Sequence, residues 1–430
     1  MGNGFPIWFG IAAGIVGFAL AEEVTNKTEN NTPTAPQVEA PVPGILPKQV
    51  FLTPDPLDSI TNPIPKSVIL REMDGFWVGV DYLNWRIKNG PLPNPMITSG
   101  SLSDAVPGAL GQPGTRVLAG GNSSNGMDYG PFSGIRMNGG FFLDDDRIFS
   151  FEGSAFLLEQ RSYNFSASTS DMQPVVTAPF FNTNGIANSI FATVPENFNS
   201  LPNSTLSIYS YSKLSGGEAN AKARFGNPGN GFSSNLLFGG KFTELEENLI
   251  YSVNSQRSAG GINTTTQGTD QFLTRNWFYG VQVGGGLNYD YKRFHASALG
   301  KIALGQTQQN IAIAGSRSST INGSPAGSPT DGFVYALPTN NGMHNQSAFS
   351  AIPELQCRLG YDVTKHIQLY AGYDYFYWTS VIRPGNAVDS VINTSQRNGQ
   401  PLVGAARPEA VMSPSGIWAQ GMTFGVELKY

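Results

Sequence analysis

Beyond residue 75 the chain alternates apolar and polar positions with a period of two, the signature of strands with one apolar and one polar face. The last segment is the clearest. Trp418, Met422, Phe424, Val426, Leu428 and Tyr430 point one way, and Ala419, Gly421, Thr423, Glu427 and Lys429 the other. The same pattern predicts strands over 76–87, 133–143, 148–161, 205–214, 217–225, 232–243, 248–256, 276–289, 293–305, 349–361 and 367–379. Residues 144–147, Ser215-Gly216, 244–247, 290–292 and 362–365 are predicted tight turns.

The connections alternate in length, a few residues and then a dozen or more, with 226–231 a short member of the long class. Short turns at one end and long loops at the other are the asymmetry of an outer-membrane barrel. The predicted fold is therefore all-β: a closed antiparallel transmembrane β-barrel of about twelve strands, with short periplasmic turns and long extracellular loops. Closure leaves no sheet edge, as a lipid environment demands. A soluble sandwich or propeller would need a partner layer over every apolar face, and no repeat of blade length is evident. The terminal alternation ending on an aromatic resembles the C-terminal assembly signal of such barrels, carried here by Phe424, Val426, Leu428 and Tyr430. It implies the outer-membrane assembly machinery and outer-membrane lipid as partners.

The start of the chain reads differently. An apolar run over 7–20, then Ala19-Leu20-Ala21 and Glu22-Glu23, resembles a secretory signal with its cleavage site. A signal-anchor helix is the alternative. Pro33, Pro36, Pro41, Pro43, Pro47, Pro54, Pro56, Pro63 and Pro65 then punctuate a stretch with little apolar periodicity. The expected organisation is a signal peptide over 1–21, a Pro-rich periplasmic linker over 22–70 and a barrel over 71–430, placed in the bacterial outer membrane.

Composition narrows the chemistry. Charged residues are only 13% of the chain while Gly numbers 51 and aromatics reach 11%, which suits many strands and turns. A net charge of −5 argues against nucleic acid as a partner. One cysteine, Cys357, excludes an internal disulfide, and three histidines argue against a His-rich metal centre. No cofactor, metal or catalytic residue is expected, and the chain is not expected to be an enzyme.

Several segments carry a family resemblance. Pro174-Val-Val-Thr-Ala-Pro-Phe-Phe181, Gly216-Gly-Glu-Ala-Asn-Ala-Lys-Ala-Arg224 and Leu369-Tyr-Ala-Gly-Tyr-Asp-Tyr-Phe-Tyr-Trp378 are the most telling, with 76–85, 276–284, 299–305 and 418–425. The most specific stretch is Ile352–Gly385, with Pro353-Glu-Leu355 and the run from Leu369 through Arg383-Pro-Gly385. Over roughly residues 76 to 430 the chain resembles the bacterial putative beta-barrel porin seven family, its later half the more specifically. The resemblance implies an outer-membrane barrel, and a porin role as an inference from that fold. In the family pattern an Arg precedes the Pro-Phe-Phe triplet where this chain has Ala178, so an ion pair at that point is not carried over.

The polar faces supply the candidate chemistry. Arg136, Lys222, Arg224, Lys241, Lys301 and Arg358 share inward faces with Glu152, Glu218, Glu354, Asp374 and Glu427. Such charges line selective pores, or pair across strands and close the lumen. A barrel of about eight strands is filled and one of about sixteen holds a channel, so about twelve leaves both open. The expectation is a narrow pore for passive diffusion of small polar solutes or ions. The alternative is a non-conducting surface or adhesive barrel acting through its loops. His295 and Ser297 share a face, but a lumen lining explains them better than a lipase site. Cys357 reads as a small hydrophobe, Pro353 as a bulge or rim position, and Arg383-Pro384-Gly385 as a turn.

Overall fold

The computed structural model describes residues 75–121, 126–169, 175–191, 203–226 and 231–430. The expected signal peptide (1–21) and linker (22–70) lie outside the described residues.

Among the described residues, ten antiparallel strands close a ring. They are β1 (Phe76–Ile87), β2 (Pro131–Phe142), β3 (Phe149–Leu158), β4 (Asn203–Phe225), β5 (Phe232–Ala259), β6 (Ile262–Tyr291), β7 (Phe294–Ile321), β8 (Gly342–Asp362), β9 (Ile367–Val381) and β10 (Ser415–Lys429). The ring shuts where β10 pairs with β1, Leu428 opposite Val78 and Phe424 opposite Tyr82. Arg161–Ser168 continues the path of β3 along the upper part of β4. Pro353, which cannot donate to a ladder, stands just beyond Glu354, the last residue of β8 paired to β9.

The count is ten where about twelve was expected, and the reason is visible in β4 and β5. Along β4, Glu218, Asn220, Lys222 and Arg224 face inward below Ser215, while Leu206, Ile208 and Leu214 face inward above it. On β5 the inward face changes from Ser233, Asn235 and Lys241 to Leu245, Leu249 and Tyr251. The backbone parity never breaks. Only the polarity of each face exchanges, at Ser215-Gly216 and at 243–247, and those two exchanges mimic turns in the sequence. The register confirms unbroken strands, Glu244 lying opposite Ser215 and Leu245 opposite Leu214. With the strands joined, β4 and β5 pair as neighbours, Phe225 opposite Ser234 at the end that carries both barrel termini.

The lower part of the ring carries a belt of exposed apolar side chains, among them Val78, Ile135, Phe149, Phe238, Val281, Leu304, Leu369 and Phe424. This is the lipid-facing band of a transmembrane barrel. β5 and β6, 28 and 30 residues long, far exceed the 9–11 or so needed to cross lipid. They run on as a tall hairpin closed by Gly260-Gly261, both at positive φ, which fits a tight two-residue turn.

The described parts of the long connections are folded. Pro95–Gly100, Arg116–Gly120, Val175–Asn182, Ala187–Phe191 and Val391–Ile392 form a second, five-stranded sheet. Its Met96, Ile97, Val176, Ala178, Phe180 and Ile392 are buried in one cluster with the inward side chains of the tall wall, Leu206, Leu249, Phe272 and Ile311. Tyr335 Oη donates to the Pro179 carbonyl at 2.9 Å, and Tyr129 Oη lies 2.8 Å from Ser210 Oγ. The upper part of the molecule is thus an apolar core wrapped by half a barrel, capped by folded loops.

Candidate functional site

The site is the lumen, and its side chains arrive there by strand parity. Inward positions of β4, β5, β7 and β8 bring Glu218, Lys241, Lys301 and Glu354 to one level just below the polarity exchange. Lys241 Nζ lies 3.0 Å from Glu218 and 2.5 Å from Glu354. Lys301 Nζ lies 2.5 Å from Glu218 and 3.0 Å from Glu354. Each lysine thus bridges both carboxylates, and none of the four side chains is more than 12% exposed. A closed ring of two cations and two anions carries no net charge.

A second network stands beside it. Arg136 Nε donates to Asp81 Oδ2 at 2.6 Å, and Arg136 Nη2 lies 3.1 Å from Asp374. Asp81 also accepts from Tyr370 Oη and from Asn138 Nδ2 at 3.3 Å, and Thr423 Oγ1 donates to Asp374. Arg358 stacks over the Tyr370 ring at 5.0 Å, its Nη2 3.8 Å from Asp81. Lower still, Lys222 pairs with Glu152 at 3.3 Å and Arg224 lies 3.6 Å from Asp290.

Below the quartet the lumen opens into a vestibule of about 450 Å³ at the short-turn end, lined by Arg136, Asn138, Lys222, Arg358 and Glu427 among others. At its mouth His295 Nδ1 lies 2.8 Å from Asp290 and Nε2 2.6 Å from Asp362. Both ring nitrogens are engaged, so His295 braces two turns and offers no base to Ser297. Above the quartet begins the apolar core, with Leu83, Trp85, Leu245, Phe278, Phe376 and Trp378 buried. Phe424, Val426, Leu428 and Tyr430 lie on the opposite, lipid-facing side.

The sequence over residues 77–430 matches the model of the family described as putative beta barrel porin-7. The chain belongs to this family. No curated protein matches it. Among solved structures it is similar to the outer membrane protease OmpT of Escherichia coli, at 9% identity and a TM-score of 0.38, covering 84% of this chain and 98% of that one. It is also similar to the toluene transporter TodX of P. putida, at 8% identity and a TM-score of 0.18, with 83% and 89% covered. A FadL homologue of Pseudomonas aeruginosa gives 10% identity and a TM-score of 0.20, with 83% and 90% covered. Scores this low carry no argument about activity.

In this member of the beta barrel porin-7 family, four buried charges escape the sequence pattern. Asp81 alternates inward with Leu83, Trp85 and Ile87, so its strand shows no polar face to read. Glu247 falls in a predicted turn and Asp270 in a predicted loop, yet both are fully buried. Arg383, read as part of a surface turn, is 1% exposed and forks onto Glu247, Nη2 at 2.6 Å and Nε at 2.8 Å. Pro384-Gly385 follows it in a short 3-10 turn, where a Cβ on Gly385 would clash with the Pro91 carbonyl oxygen. Asp270 accepts from the backbone N–H groups of Phe333, Val334 and Tyr335 at 2.8 to 3.1 Å, tying the 333–337 loop into the core.

Proposed function

We propose that this outer-membrane barrel does not conduct, and that it serves as a rigid wall holding a folded cap at the cell surface. One observation carries the reading: the charge-neutral quartet of Glu218, Lys241, Lys301 and Glu354 lies across the lumen directly beneath an apolar core. A polar solute rising from the vestibule would have to part both ion pairs and then cross packed Leu, Phe and Trp side chains. Breaking a buried pair costs about 3–5 kcal/mol even before the core opens. The narrow-pore expectation needs both barriers to move together. In the favoured reading the outer loops do the work, as a platform for other surface components, and no reaction is assigned to the lumen.

Heat-modifiable, folded protein in a planar bilayer tests this. Silence in the wild type, with leaks only when cap and quartet are both removed, is the expected result. Reproducible single-channel steps from intact protein would overturn it.

A further inference from the structure

The lipid-facing wall carries an open depression among its described residues. Where β6, β7, β8 and β9 lie side by side, four outward positions are small, Ala296, Ala298, Cys357 and Ala371, with Leu359 standing between Ala296 and Ala371. Phe232, Tyr289, Tyr373 and Met422 rise around them, leaving an almost wholly apolar trough of about 560 Å³. It lies just above the short turns, since Tyr289 pairs with Ala296 across the turn holding Lys292 and Arg293. This is the level of the periplasmic leaflet. Packing a hydrocarbon occupant there restores contacts that an empty trough forfeits.

The rim below the trough separates its charges by direction. Its acids, Asp290 and Asp362, turn inward to His295. Its bases, Lys292, Arg293 and Lys365, are exposed on the turns, Lys292 lying 5.3 Å from the Tyr291 ring centroid. Phe294 and Tyr361, 5.1 Å apart, sit between rim and trough at the height where aromatic rings meet headgroups. We propose that the trough and the basic rim together form a binding site for one anionic glycerophospholipid of the periplasmic leaflet. An acyl chain lies over Ala298 and Cys357, and the phosphodiester meets Lys292, Arg293 and Lys365. A second barrel fits less well. Its wall would strike the surrounding rings before reaching the floor, and a symmetric contact would set two basic rims against each other.

The test is native mass spectrometry of the protein released from vesicles of equal phosphatidylglycerol and phosphatidylethanolamine. The expected result is one retained phosphatidylglycerol, with its preference over phosphatidylethanolamine falling roughly fivefold for each base removed in K292Q, R293Q and K365Q. Filling the floor with A296F and A298F should abolish retention of either lipid, heat-modifiability showing that the barrel still folds. In the wild type, Cys357 is exposed and should react more slowly with a maleimide in phosphatidylglycerol than in phosphatidylethanolamine vesicles. Equal retention of both lipids, equal Cys357 reactivity, or efficient Cys357-to-Cys357 cross-linking between copies would overturn the proposal.

Discussion

The lower and upper parts of β4 to β7 are the same strands with opposite faces. In the belt, Phe238 points out and Lys241 in; a few residues higher on β5, Glu244 and Glu246 point out and Leu245 and Leu249 in. No bulge separates them, and the register runs unbroken through the exchange. The difference teaches that a barrel wall carries no intrinsic inside. Lipid outside and water or paired charge within select one polarity, while water outside and a folded cap within select the other. The quartet sits at the boundary, the last charged layer before the inward faces turn mainly apolar.

The largest effects should come from the buried charges on either side of that boundary, and they should separate the two regions. Arg383→Ala leaves Glu247 uncompensated in the apolar core, a loss of about 3–5 kcal/mol. Limited proteolysis should then cut the 382–414 connection while the heat-modified gel shift of the barrel survives. Lys301→Ala leaves Glu218 and Glu354 sharing one lysine, at a similar cost of about 3–5 kcal/mol. Here the belt itself should unfold earlier in urea. If both variants weaken cap and barrel together, the two regions are one cooperative unit and the comparison fails.

A smaller effect sharpens it on a single strand. Phe238 and Ile250 both face outward on β5, opposite Val283 and Gln271. Phe238→Arg should destabilise folding into vesicles by about 2–4 kcal/mol, because it puts a cation in lipid. Ile250→Arg, at a half-buried outward position above the belt, should cost less, about 1 kcal/mol. Equal costs would mean that lipid reaches higher than the apolar belt.

Much of this was legible in the sequence, and the rest was hidden for one reason. Period-two alternation gave the barrel, the closing strand and the inward set from Arg136 to Glu427. A strand whose faces exchange polarity midway has two amphipathic halves that contradict each other, and read locally each exchange looks like a turn. Ser215-Gly216 and 244–247 therefore read as turns, and Glu247 with them. Arg383 and Asp270 meet their partners, Glu247 and the 333–335 backbone, only through long-range docking, which no local pattern encodes. Gly260-Gly261 did carry a hairpin signal, flanked by chain too polar to read as strand.

The smallest effect concerns how the cap is tied to the wall, and it depends on pH. Asp270 stands above the belt, and burial pushes its carboxyl up to about 6 although backbone N–H groups from Tyr335 and Val334 pull the other way. In an unfolded chain the group titrates near about 3.9. An acid raised on folding contributes most below its unfolded value and loses that contribution as pH climbs through its folded value. The 333–337 loop should therefore be held most firmly near the lower limit of that window and less firmly at neutrality. Hydrogen-exchange protection of the loop, corrected for the intrinsic exchange rate, should fall between about pH 4 and pH 7 in the wild type. Asp270→Asn keeps an oxygen for the N–H groups and cannot ionise, so its profile should be flat. A slope that survives the substitution would move the titration to another group and leave Asp270 as a purely geometric anchor.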